Sequence, residues 1–172
     1  DNCSHLPALG LYACTASQVR NCLVQNSMRI GIDDRRIGNT GFAFNCIDGT
    51  GIEIKYSSST LVQGIRVIEK NLLPTQENQR KFKLGKFCMK NPERGSLSKE
   101  IWNKEFVSNW HQGSAILIDG PDTNDFTQLL GNYIENAAQG VDIHADHVIM
   151  ANNIVNNAFM GMKAMHGSRN VI

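Results

Sequence analysis

From Asn132 to His166 the chain reads NYIENAAQGVDIHADHVIMANNIVNNAFMGMKAMH, and within it a short pattern is written twice. Tyr133-Ile134-Glu135-Asn136-Ala137-Ala138-Gln139-Gly140 returns as Ile154-Val155-Asn156-Asn157-Ala158-Phe159-Met160-Gly161, so Gly140 and Gly161 stand 21 residues apart. An alternating run follows each glycine. A fixed step in this range, built of short β-like segments separated by Asn and Gly, is the signature of a solenoid. One such unit cannot bury its apolar face alone; stacking strand over strand at about 4.8 Å makes a single core and satisfies the backbone. Asn recurs at the corners because it tolerates left-handed backbone angles and can bond the Asn above and below it.

Working outward, the motif occurs at Leu23-Val24-Gln25-Asn26 followed by Gly31-Ile32-Asp33, and at Phe42-Ala43-Phe44-Asn45 followed by Gly51-Ile52-Glu53-Ile54-Lys55-Tyr56. A third unit begins at Ile65-Arg66-Val67-Ile68, and Gly10 to Val19 reads as the tail of an earlier coil. Between about 72 and 101 the repeat breaks into a polar stretch with two of the four prolines. Such an excursion reads as a loop leaving one face, with a short helix expected between Ser96 and Trp110. The repeat resumes at Phe106 to Gly113 and Ser114 to Gly120. Gly113 precedes Gly140 by 27 residues rather than 21, which puts six extra residues near Pro121 to Phe126. The expectation is one all-β domain over residues 1–172, a parallel β-helix interrupted at about 72–101, and a piece of a longer solenoid.

The 172 residues carry a formal net charge of +1 with opposed charges interspersed. Nucleic-acid binding gathers Lys and Arg on one face, so no nucleic-acid partner is expected. No apolar run approaches the roughly 20 residues that span a bilayer, so no membrane insertion is expected. The start, DNCSHLPALG, lacks the basic and apolar regions of a signal peptide. Five cysteines without a CxxC spacing disfavour a zinc ribbon or a full disulfide framework. Cys22 and Cys46 lie in apolar runs and read as stacked core thiols, which suggests folding in a reducing compartment.

Asn132-Tyr133-Ile134-Glu135-Asn136 with Gly140-Val141-Asp142-Ile143, and Asn152-Asn153-Ile154-Val155-Asn156-Asn157, match short repeats of the form N-x-I-x-N…G-I-x-I. In these the chain resembles the right-handed parallel β-helix superfamily over most of its length outside 72–101. The resemblance implies a carbohydrate polymer as partner. Its members include polysaccharide lyases, polygalacturonase-like hydrolases, uronate epimerases and phage tailspikes, the last implying a homotrimer that is extracellular or virion-associated. GVDIHADH is loosely similar to the Asp/His stretch of the epimerases but lacks the Pro found there between Asp and His.

Period-2 alternation after each glycine assigns faces. Val141, Ile143 and Ala145, Ile52, Ile54 and Tyr56, and Ser114, Ile116 and Ile118 are expected inward. Asp142, His144 and Asp146, Glu53 and Lys55, Ala115, Leu117 and Asp119, and Lys163 and Met165 are expected outward. Equal offsets from Gly113 and Gly140 would make Asp119 and Asp146 neighbours about 5 Å apart. Two carboxylates so placed suit glycoside hydrolysis, with His144 able to bind sugar or shuttle a proton. Asp142 and Lys163 are expected to form an ordinary exposed ion pair. His166 falls inward. Alternation turns His147 away from Asp142, His144 and Asp146, so no transition-metal site is expected.

A lyase would use Lys163, Arg169 or His144 as base or to neutralise a uronate, with calcium a cofactor only in that case. Trp102 and Trp110 are the candidates for stacking on sugar rings, while Tyr133 falls at an inward-looking corner. Asp119, Asp146, His144, Asp142 and Lys163 are thus the candidate catalytic residues, and Trp102, Trp110 and Arg169 the candidate substrate contacts. The expected activity is binding and cleavage of a polysaccharide by hydrolysis or elimination. The alternatives are a purely structural or adhesive solenoid, or a uronate epimerase.

Overall fold

Each coil is made of one strand of four to six residues and two strands of three, separated by corners that few residue types tolerate. In the computed structural model the described residues are 6–30, 47–70, 113–120, 124–158, 160–165 and 168–172. The expectations for the 72–101 excursion, the helix near Ser96, the unit Phe42 to Asn45, and Trp102, Trp110, His166 and Cys46 lie outside them.

Sheet A holds the long strands in the order β1 (Leu9–Tyr12), β6 (Thr50–Lys55), β9 (Ser114–Asp119), β12 (Gln139–Ile143) and β15 (Met160–Ala164). Sheet B holds β2 (Gln18–Arg20), β7 (Leu61–Gln63), β10 (Gln128–Leu130) and β13 (Ile149–Ala151). Sheet C holds β3 (Leu23–Gln25), β8 (Arg66–Ile68), β11 (Tyr133–Glu135) and β14 (Ile154–Asn156). All pairings within these three sheets are parallel, and the chain passes from A to B to C before returning to A one level on. With no helix among the described residues, this is the architecture of a β-solenoid, compatible with a parallel β-helix.

The core is a set of columns. Ile52, Ile116 and Val141 stack in register, as do Ile54, Ile118 and Ile143, each at most 1% exposed. Val62 and Leu129 on sheet B and Val67 and Ile134 on sheet C close the triangle with no exposure. Burying each such side chain is worth about 1.5–3 kcal/mol. The corners between B and C place Asn21, Gly64, Gly131 and Asn152 at φ of 52°, 62°, 62° and 56°, in the left-handed region that Asn and Gly adopt most readily. Beside that corner the amide ladder is literal. Asn132 Nδ2 donates to Asn153 Oδ1 at 2.8 Å and to the Val62 carbonyl at 3.1 Å, while its Oδ1 accepts from Ile65 N–H at 3.1 Å. At the exit from sheet C, Asn157 Nδ2 donates to Asn136 Oδ1 at 2.6 Å. On the coil before, a carboxylate does this work: Glu69, fully buried, accepts from Ser27 N–H at 2.9 Å and Met28 N–H at 3.2 Å.

The step of 21 is observed from Gln139 to Met160 and from Asp125 to Asp146. Three expectations about the coils are corrected. Leu9 pairs directly with Ile52, and β4 (Arg29–Ile30) pairs antiparallel with β5 (Ile47–Asp48), so no further coil stands between β1 and β6 in sheet A. Ile65 to Ile68 belongs to the same coil as Gly51 to Lys55, as its second three-residue strand. The register from Ile118 to Ile143 is 25, so four extra residues, not six, precede Asp125.

Side-chain directions follow the expected alternation inside the strands and depart from it at the corners. Tyr56, expected inward, takes φ 53° and is 54% exposed, because the chain has already turned there. Ala115, expected outward, is fully buried. It occupies the register position of Gly51 and Gly140, where space is scarce: a Cβ on Gly140 would lie 2.3 Å from the Gly161 carbonyl oxygen. Tyr133 stands on the outer side of sheet C, its ring under the Arg66 guanidinium at 5.6 Å, while Ile134 points in. Cys22 is half-buried at a corner and stands in register with Ile65.

Candidate functional site on sheet A

The outer face of sheet A carries two columns of side chains, polar except for Leu117, one step of two residues apart. The first runs Glu53, Leu117, Asp142, Lys163; the second runs Tyr12, Lys55, Asp119, with His144 next in register. The face is therefore a ribbon of groups repeating at the strand spacing along the solenoid axis.

Asp142 sits at its centre. Only 6% exposed, it lies between Lys163 Nζ, 2.7 Å from Oδ2 on the next coil, and His144 Nε2, 2.9 Å from Oδ1 on its own strand. The expectation of an ordinary exposed pair with Lys163 is corrected, since a carboxylate this buried depends on its cation. Oδ1 is shielded from solvent and receives no well-aligned hydrogen bond, with the His144 ring nitrogen as its near neighbour.

Asp119 pairs across the register with Lys55, Nζ to Oδ2 at 3.1 Å, and accepts from Gly120 N–H at 2.8 Å. Partial burial pushes its carboxyl up, but the Lys55 ammonium, the Gly120 amide and the field of His144 together hold it below the usual range. The hydrogen bond to Asp119 in turn raises Lys55. Tyr12 donates its hydroxyl to Glu53, and that bond holds the phenol above its usual value.

The expected Asp119/Asp146 pair is not formed. Four extra residues shift the register so that His144 comes beside Asp119, and Asp146 leaves the sheet for the corner between A and B, opposite Asp125. There Asp146 Oδ1 accepts from His147 N–H at 3.0 Å, Arg169 N–H at 3.1 Å, and both the backbone at 2.7 Å and the Nδ2 at 3.0 Å of Asn170. Burial pushes Asp146 up, and these donors outweigh it and bring it down. The carboxylate is a turn cap. His147 is corrected too: its Nδ1 is 2.8 Å from Asp125 and 3.9 Å from Asp146. Arg169 is at this corner, away from the sheet A ribbon, with Nε 3.6 Å from Asp146.

Aromatic rings edge the ribbon where the chain bends toward sheet B. Tyr12, Tyr56 and Phe126 are 48%, 54% and 56% exposed, and Phe126 stacks on His147 with ring centroids 5.0 Å apart. Phe126 and His147 adopt φ of 56° and 48°, unusual for bulky residues. Their sequence signal was an aromatic at a position where other coils hold Ala16 and Ser59. Among the described residues no group of three or more His, Cys, Asp or Glu is arranged to hold a metal ion.

Fold and face together define a β-solenoid with a charged ribbon bordered by exposed rings. Comparison of the chain with protein-family models, with curated proteins and with solved structures found no match.

Proposed function

We propose that the chain binds a carbohydrate polymer along the outer face of sheet A and cleaves it there by hydrolysis. The observation that carries this reading is the diagonal placement of Asp119 and Asp142 on adjacent strands, each with its own cation. One strand spacing and two residue rises separate their Cα atoms by about 8 Å, and an inverting hydrolase needs two carboxyl groups set far enough apart to admit a water on the opposite face of the sugar. Asp119, held ionised, takes a proton from that water as its oxygen bonds the anomeric carbon. The Asp142–His144 pair delivers a proton to the departing glycosidic oxygen as the carbon–oxygen bond breaks. Tyr12 and Tyr56 offer faces to pyranose rings.

The same reading assigns the chain to the right-handed parallel β-helix superfamily; parallel crossovers are overwhelmingly right-handed, which supports that hand. A homotrimeric, tailspike-like assembly is the form in which we propose it acts. The second reading is binding without cleavage, favoured by the mutual neutralisation of Lys55 with Asp119 and of Lys163 with Asp142.

The full-length protein, incubated with a panel of neutral and acidic polysaccharides, tests this. New reducing ends without ultraviolet absorbance are expected. Absorbance from an unsaturated product would select elimination, and silence in both assays with binding retained would select the second reading.

A further inference from the structure

At the corner between sheets B and C, opposite sheet A, a groove of about 580 Å³ runs along the solenoid axis. Its floor follows from backbone chemistry. All four coils need a left-handed residue there; the outer two use Asn21 and Asn152, and the inner two use Gly64, over which the Asn21 amide lies, and Gly131, whose missing side chain opens a notch. A Cβ on Gly131 would meet nothing within 4 Å. Arg20, Gln63 and Leu130, the last residues of successive sheet B strands, form one wall in register. Among the described residues the side chains of Arg20, Asn21, Gln63 and Asn152 make no hydrogen bond or ion pair, whereas the charges on sheet A are committed to one another.

We propose that this corner is a second saccharide-binding strip, distinct from the ribbon on sheet A, which takes an anionic sugar segment. Arg20 faces the carboxylate or sulfate, the three amides take hydroxyls, and Leu130 meets the apolar side of a ring. The lining groups recur at the coil spacing of about 4.8 Å, a repeat comparable with one pyranose unit. The kind of ligand rests on the glycan reading above; the strip itself does not depend on cleavage at Asp119 and Asp142.

The test is calorimetric titration of the full-length chain, carrying Asp119→Asn and Asp142→Asn so that no probe is cut. The probes are an oligogalacturonate, a sulfated heparin oligosaccharide and a neutral glucose oligomer. Arg20→Gln removes the charge, and Gly131→Asn fills the notch with the residue type already tolerated at Asn21 and Asn152. At least one anionic probe is expected to bind more tightly than the neutral one, and each variant to weaken it about tenfold or more, the loss of one charge-assisted contact. Unfolding midpoints equal to the parent's show that the fold is intact; should Gly131→Asn fail to fold, Arg20→Gln carries the test. Binding unchanged in Arg20→Gln, no binding of either anionic probe, or equal binding of the neutral one overturns the proposal. Loss of binding in these variants alongside an inactive wild type would retain the strip and remove the cleavage reading.

Discussion

Lys163 stands in register with Asp142 on the neighbouring coil, and its ammonium is the closest cation to a carboxylate that has almost no contact with water. The pair ties the coil ending in β15 to the one below through side chains as well as backbone. Lys163→Met should leave Asp142 buried without that partner and destabilise the chain by about 1–3 kcal/mol. Adding Asp142→Asn should recover part of the loss, and urea unfolding of the single and double variants measures it. Equal stability of all forms would contradict a structural role for the pair.

Glu69 gives the fold a dependence on pH. Burial raises its carboxyl above the ordinary glutamate value, and the hydrogen bonds from Ser27 and Met28 offset this only in part. The native state therefore holds this proton more tightly than the unfolded chain. The contribution to stability is full below the unfolded value and is lost as pH rises through the raised folded one. Glu69→Gln should flatten that part of the stability-versus-pH curve, while Glu69→Ala, which orphans the buried Met28 N–H and the half-buried Ser27 N–H, should cost about 1–3 kcal/mol. Thermal unfolding between pH 4 and pH 8 separates the two.

Asp146 is expected to behave as a cap and not as a reacting group. Its folded carboxyl is lowered, so its contribution is present above the ordinary aspartate value and is lost as pH falls through the folded one. Asp146→Ala should lower the unfolding midpoint, yet leave turnover of a cleaved polymer within a factor of about two well below that midpoint. A turnover loss as large as that of an Asp119 variant would return Asp146 to the chemistry.

What could be read from the chain and what could not divides along physical lines. Stacking forces every coil to repeat one inward pattern, so Ile116, Ile118, Val141 and Ile143 were legible from alternation alone, as was Lys163 beside Asp142. Register across an unequal coil was not. Gly113 and Gly140 look equivalent, but the true counterpart of Gly140 is Ala115, because the site demands a small residue and not a glycine in particular. That two-residue error put Asp146 beside Asp119 in place of His144. Corners were also illegible by alternation, since left-handed residues there reset which way Tyr56 and His147 point. Glu69 is a long-range cap, closing on Ser27 from 42 positions away, and no local pattern announces it.

The central claim is that the ribbon through Asp119 and Asp142 cuts a polysaccharide. Once the panel has identified a polymer that wild type degrades, its initial rate should be compared with that of Asp119→Asn, which keeps shape and removes the base. The account predicts a fall of about a hundredfold or more, with polymer binding largely kept. An unchanged rate in Asp119→Asn would contradict it.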